Sequence, residues 1–335
     1  MSRLYPPQRS PNYRFRLLSA LILSATLLLG GCDLIVPPAP DPAAATIVTF
    51  ADANLEKALA DQLATEAGQI TRGQMATLGP TLYLQGRQIQ NLQGLEWATD
   101  VKKLHLHNNQ ITDLTPLARL NQLQVLNLDD NQVADLSPLK DLTDLQYLLI
   151  NNNQVRDLSP ISGLKDLQTL AANGNAVDDL TPLAGLSNLH ELQLGRNQVS
   201  ELLALAGLTR LESLNLQENS VSDLAALAEL DQLGWLILDH NQIKDLSVLS
   251  DKNDLWYLTL DSNQIVDLTQ LGGLGNLETL DLGSNQITDL SPLQPLKMLS
   301  SLAIGDNPID WSDPAQQTII EQFKNKGTAV WGVSQ

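Results

Sequence analysis

Residues 105–117 read HLHNNQITDLTPL, and residues 127–139 read NLDDNQVADLSPL. Leu106, Ile111, Leu114 and Leu117 have the spacing of core residues, yet a polar side chain, Asn109, stands among them. Asn131 holds the same place one copy later. The series continues through Asn153, Asn175, Asn197, Asn219, Asn241, Asn263, Asn285 and Asn307, ten positions at an unbroken spacing of 22. A pair of core residues such as Leu104-x-Leu106 precedes each Asn, and Ile or Val follows two residues on, usually with Asp-Leu after it. An earlier copy, LYLQGRQIQNL at 82–92, keeps Leu82 and Leu84 but has Arg87 in the Asn position. Self-similarity at this period marks a solenoid whose units bury their apolar faces only against neighbours. The two domains that 335 residues would ordinarily imply give way to one continuous array.

The asparagines follow from that geometry. Each coil must turn sharply after its strand, which leaves backbone N–H and C=O groups inside the solenoid. An unpaired buried polar group costs about 1–3 kcal/mol, and an Asn amide carries both donors and an acceptor. At the same point in every coil, it is expected to serve its own turn and the backbone of the next coil. These asparagines are therefore read as a structural ladder and not as ligand contacts.

The repeat LxxLxLxxNxIxDLxPLxxL resembles the 22-residue leucine-rich repeat of the internalin family of bacterial surface proteins, from about residue 46 to the end. The resemblance implies an α/β solenoid, a leucine-rich repeat horseshoe of about 11 coils with a parallel concave β-sheet between helical caps. VTFADANLEKALADQL and the following ITRGQMATL resemble the small helical cap that precedes internalin repeats, with Asp52 or Thr71 placed to cap a helix. At the far end, SDPAQQTIIEQFKNKG reads as a helix capped by Asp313, opened by Pro314 and stopped by Gly327, and TAVWGV as a final strand. The expected boundaries are a signal segment at 1–31, a Pro-rich tether at 32–45, an N-terminal cap at 46–80, repeats at 81–310 and a C-terminal cap at 311–335. Two internalin features are missing: an immunoglobulin-like module and a wall-sorting signal. Wall attachment and host invasion are accordingly not carried over.

Four arginines precede a 13-residue apolar run, Leu17–Leu29, too short to span a bilayer comfortably and typical of a secretory signal. Leu29-Gly30-Gly31 before the single Cys32 resembles a bacterial lipoprotein lipobox. That implies cleavage ahead of Cys32, lipidation of its thiol, and a body tethered outside the cytoplasm at the cell envelope. Four of the 20 basic residues lie in this segment, so 16 remain against 38 acidic ones. Such a body repels nucleic acid and anionic lipid surfaces, so the lipid is the only expected membrane contact.

An acidic residue follows the Asn by four positions in nine coils: Asp113, Asp135, Asp157, Asp179, Glu201, Asp223, Asp245, Asp267 and Asp289. A calcium ladder would need six or more oxygens at one place. The reading preferred here is that each Asp caps a short helical turn on the back of its coil, often before Ser-Pro or Thr-Pro.

Function falls to the concave face, where inward leucines alternate with variable residues. Three columns line it, at six, four and two residues before each Asn position, along about 50 Å for strands roughly 4.8 Å apart. Most entries are small or amide-bearing. The stronger exception is Trp235 beside Tyr257, with Ile237 between the columns, Asp239, Asp261 and Asp281 alongside, and Trp256 at the rim. Trp and Tyr are enriched at interface hot spots, and the carboxylates would suit Lys, Arg or sugar hydroxyls. Cross-strand packing alone, or a metal held by the three aspartates, are the alternatives. The weaker exception is Tyr147 and Leu149 with Val125, near His105, His107 and Asp129, where zinc is an alternative to a wet polar patch.

Catalysis is not expected. No glycine-rich phosphate loop stands in a strand-to-helix context, and no coil offers Ser, His and Asp within reach of one another. The chain reads as a non-catalytic, monomeric binding protein without cofactor or bound metal, recognising a protein partner through the concave face. Glycan or wall-polymer binding on that face and a purely structural spacer are the alternatives.

Overall fold

The computed structural model describes residues 42–333. The signal segment and Cys32 with its expected lipid lie outside them. Two helices, α1 (Ala53–Leu63) and α2 (Arg72–Ala76), lead into a single parallel sheet of twelve strands in chain order. The sheet runs from β1 (Thr81–Tyr83) to β12 (Ala329–Trp331), with 3-10 turns between successive strands and the helix α3 (Pro314–Asn325) before the last. The repeat register is kept across β1–β11, as in Thr81 against Lys103 and Trp235 against Tyr257. The expected last strand is present: β12 pairs in parallel with β11 (Ser301–Ala303).

Each strand is only three residues long because the chain must leave the sheet at once to stay within 22. The central leucine of each strand and the residue two later point inward, and Leu104, Leu106, Ile111, Leu114 and Leu117 are all buried. On the back each coil closes with a short 3-10 turn such as Thr115–Arg119 or Ser137–Leu139. Burying a leucine stabilises by about 1.5–3 kcal/mol. Since each leucine meets mainly the coils on either side, that gain exists only when coils stack.

The asparagine ladder is present, with one correction of direction. Asn109 Nδ2 donates to Leu106 O of its own coil at 2.7 Å and to Leu84 O at 2.9 Å, while its Oδ1 accepts from Ile89 N at 3.0 Å. The partner coil is thus the preceding one, where a bond to the next was expected. The pattern repeats up to Asn307, whose Oδ1 accepts from Ile287 N and whose Nδ2 reaches Leu282 O. This explains Arg87: the first coil has no preceding coil for an asparagine to serve. Its exposed backbone is met instead by Asp52, whose Oδ2 accepts from Gln90 N at 2.7 Å and Asn91 N at 3.2 Å. The residue before each Asn is left-handed, at φ between 52 and 66° in both Ser284 and Gly174 and in the coils between. Most are not glycine, so the ladder holds a conformation that L-residues otherwise resist.

Both caps form as read. Asp52 Oδ1 accepts from Asn54 N and Leu55 N at the start of α1, and Thr71 forms a capping box with Gln74. Burial alone would raise the Asp52 carboxyl, but four backbone N–H donors hold it below its ordinary value. Asp313 accepts from Ala315 N beside Pro314 at the start of α3. On the back, Asp113, Asp135, Asp157, Asp179, Asp223, Asp245, Asp267 and Asp289 each accept from the backbone N–H two residues on. The capping reading holds for these eight aspartates, each meeting its turn from one residue ahead of the N-cap leucine, and is not met by Glu201. The hydroxyl and backbone donors of Ser137, Thr181, Thr269 and Ser291 lower the carboxyls they face.

One core position breaks the pattern. Lys252 occupies the column of Leu208, Leu230, Leu274 and Leu296, and its side chain is 2% exposed. Its ammonium donates to Ala228 O and, at 2.8 Å, to Asp231 Oδ1, whose own side chain stays largely in water. Replacing a buried ion pair by well-packed apolar side chains is often neutral or stabilising by 1–4 kcal/mol.

Two outcomes follow for urea unfolding. Asn241→Ala leaves Val221 N without its acceptor, while the Leu216 and Leu238 carbonyls keep the amides of Asn219 and Asn263, so it should cost about 1–3 kcal/mol for the one unpaired group. Lys252→Leu restores the leucine column and should leave the midpoint unchanged or raise it. An unfolding free energy lowered by more than about 1 kcal/mol would show that the ion pair stabilises the coil.

Candidate concave binding site

The short strands put alternate residues on the water-facing side, where Trp235 and Ile237 of β8 (Trp235–Ile237) are half-buried around the buried Leu236. Tyr257 of β9 (Tyr257–Thr259) pairs with Trp235 in register. Three rings meet here: Trp235 and Tyr257 with centroids 5.1 Å apart, Trp235 and Trp256 at 6.0 Å, and Trp256 and Tyr257 at 5.8 Å. Interplanar angles of 58–64° make this a tilted cluster, of the kind favoured by the ring quadrupoles. Trp256, placed at the rim by sequence, is a full member. Its indole lies against Gly234 of the preceding coil, where an added Cβ would come within 2.9 Å of Nε1. Gly234 makes the room.

The three aspartates lie on neighbouring coils but are not equivalent. Asp239 accepts from Asp261 N through Oδ1 and from Thr259 Oγ1 through Oδ2, both at 2.8 Å. Expected to select basic groups, its carboxylate is instead committed to the sheet. Burial is the main cause that pushes it up to about 6; the Thr259 and Asp261 donors oppose the rise, while the Asp281 and Asp261 charges add to it. Asp261 accepts from Ser262 Oγ, with His240 Nε2 at 3.7 Å from its Oδ2, and Asp281 accepts from Gly283 N. The Asp261 side chain is 16% exposed, and Asp239, Asp261 and Asp281 are all half-buried. Among the described residues, no three His, Cys, Asp or Glu side chains gather closely enough to hold a metal ion.

Asp239 belongs to a second ladder that sequence reading missed. Asp129 Oδ1 accepts from Asn151 N, Asn151 Oδ1 from Asn173 N, and Asn173 Oδ1 from Gly195 N, at 2.7–2.8 Å. The signal was the recurrence of Asp or Asn in the third column, at 129, 151, 173, 239 and 261.

The weaker cluster divides. Tyr147 is exposed on β4 (Tyr147–Leu149) with Leu149 half-buried beside it, and its hydroxyl donates to Gln168 Oε1 at 3.2 Å. Nearer the N-terminus, Tyr83 is 56% exposed and stacks on His105 with centroids 5.0 Å apart and planes 8° off parallel, and His107 stands edge-on at 6.4 Å. Burial, then the neighbouring His107 and Lys103 charges, lower the His105 pKa. Tyr83 was visible in its column but was not singled out, because its exposure depends on where the cap ends. Trp331 of β12, 55% exposed at the sheet's last edge, was likewise missed.

Compared with known proteins, the family description Leucine Rich repeats (2 copies) matches residues 99–141, 143–185 and 257–295. An internalin C2 of Listeria monocytogenes is 32% identical over 71% of this chain and 94% of its own, with a TM-score of 0.54. The chain belongs to the internalin-like leucine-rich repeat proteins. An internalin from the same organism (inlF) is 28% identical over 85% of this chain and 96% of its own, with a TM-score of 0.65. The functional domain of InlJ from Listeria monocytogenes, described as including a cysteine ladder, shares the fold at 24% identity and a TM-score of 0.73, over 86% of this chain and 62% of its own. No curated protein sequence matches. This internalin-like chain has an asparagine ladder in the ten repeats from Asn109 to Asn307 and one Cys in total.

Asp239 gives a pH prediction. Its folded pKa of about 6 lies above the ordinary 3.8, so the fold favours the protonated form. That contribution is complete below pH 3.8 and is lost as pH rises through about 6. Asn151 makes the same backbone bond in its own coil, so Asp239→Asn keeps the ladder without the charge. Asp239→Asn should melt higher than the parent at pH 8, by up to about 3 kcal/mol, and the gap should close by pH 4. Equal melting curves at both pH values would contradict the assignment.

Proposed function

We propose that this chain is a non-catalytic, envelope-anchored binding protein that recognises a protein partner through its concave face. The observation that carries the reading is the Trp235–Trp256–Tyr257 cluster, in which two tryptophans and a tyrosine meet. Large rings preorganised by one another give up little side-chain freedom on binding, which is why such residues dominate hot spots. Ile237 extends the apolar surface, and Asp261 and Asp281 favour a partner that brings Lys or Arg. Tyr147 and Leu149 offer a second contact further along the same face. Anchoring rests on the lipobox ahead of Cys32; among the described residues no helix is long and apolar enough to cross a membrane.

The test is capture from envelope extracts by the full chain in mild detergent, beside Trp235→Ala/Tyr257→Ala, once equal melting curves show that the variant is folded. A protein held by the parent and lost by the variant, with binding that weakens as salt rises, supports the reading. Capture of a neutral glycan insensitive to salt moves the face to its alternative ligand. Equal capture by both chains means the rings only pack across strands, and no capture by either leaves the spacer role.

A further inference from the structure

Away from the concave site, the flank by which the chain climbs into its strands carries an open cleft of about 390 Å³. It is lined by Gln146, Gln168 and His190 in one row and by Asp166, Asn188 and Arg210 in a second. Within each row the residues are 22 apart, and the rows are offset by two positions. The cleft therefore repeats its polar groups once per coil along the solenoid axis.

Three hydrogen bonds organise it. Tyr147 donates its hydroxyl to Gln168 Oε1 at 3.2 Å, Arg210 Nη1 donates to Asn188 Oδ1 at 2.7 Å, and Asn188 Nδ2 donates to Lys165 O at 2.9 Å. These bonds orient the Gln168 amide, leaving its Nε2 to donate outward, and they aim the guanidinium. The side chains of Gln146, His190 and Asp166 make no hydrogen bond to the protein among the described residues. Gln146, Gln168, Asn188 and His190 are nonetheless half-buried. The result is a row of donors interleaved with acceptors, bordered by the exposed Tyr147 ring.

We propose that this flank cleft is a binding site for a neutral oligosaccharide. Vicinal hydroxyls each donate and accept, so they match planar amides, a carboxylate and a guanidinium set side by side. The negative face of the Tyr147 ring suits the C–H face of a pyranose. Charge argues against an ionic ligand: Asp166 and Arg210 balance within the cleft, while the chain as a whole carries −18 and repels anions. Length argues for a chain of sugars, since coils advance about 4.8 Å each, close to the advance of one ring in an extended β-linked glycan. Each successive sugar would then meet the same row one coil further on.

The experiment is isothermal titration of the full chain, in mild detergent, with a β-1,4-linked N-acetylglucosamine tetramer and a β-1,4-linked glucose tetramer. The variants are Gln168→Ala/Arg210→Ala on the flank and Trp235→Ala/Tyr257→Ala on the concave face, with melting curves checked first. The expected result is binding of at least one tetramer, weakened tenfold or more by the flank variant, unchanged by the concave variant and insensitive to salt. Absence of binding by both tetramers overturns the proposal. So does binding that survives the flank variant, or binding that is lost only with the concave rings.

Discussion

A buried backbone that turns every 22 residues must find partners for its polar groups, and the asparagine ladder supplies them. An Asn amide such as that of Asn131 links four backbone groups across two coils, so removing one affects two turns at once. The left-handed residue before each Asn is a consequence: Arg196, Glu218 and His240 adopt positive φ because the following amide is held in place. Without that bond nothing local would favour the turn, and the strands would lose the register that stacks leucine on leucine. The apolar core supplies most of the stabilisation, and the ladder decides which stacked arrangement receives it.

The same constraint shapes the ends and the faces. Where there is no preceding coil, the asparagine is replaced and Asp52 of the helical cap meets the exposed backbone. Where the sheet meets water, a second set of Asp and Asn side chains bonds from coil to coil along the third column. That second ladder takes Asp239 out of the set of free charges, and its neutral form is favoured because burial removes water from an already paired carboxylate. Asp239 thus serves the fold two residues beyond Ile237, the last residue of its strand.

The aromatic cluster and the flank cleft share a logic. A solenoid built from one repeat is nearly uniform, so a site arises where several coils depart from the repeat in a coordinated way. Trp256 packs close because the preceding coil has Gly234, and the Gln168 amide is oriented because the neighbouring coil contributes Tyr147. Neither pair is adjacent in sequence, and each becomes a unit only at the spacing of one coil.

Most of the fold was legible in the chain itself. The unbroken spacing of Asn109 to Asn307, the paired leucines and the capping signals at Asp52, Thr71 and Asp313 specify coil length, sheet and caps, because each rests on contacts within a coil or between consecutive ones. The identity of the concave columns followed from the same period. What the tertiary structure decided is how side chains on different coils use one another: the direction of the asparagine bond, the commitment of Asp239 to the sheet, the inclusion of Trp256 with Trp235 and Tyr257, the burial of Lys252 in a leucine column, and the exposure of Tyr83 at the cap. These depend on rotamers and on water excluded by neighbours 20 or more residues away, and a periodic sequence carries no signal for either.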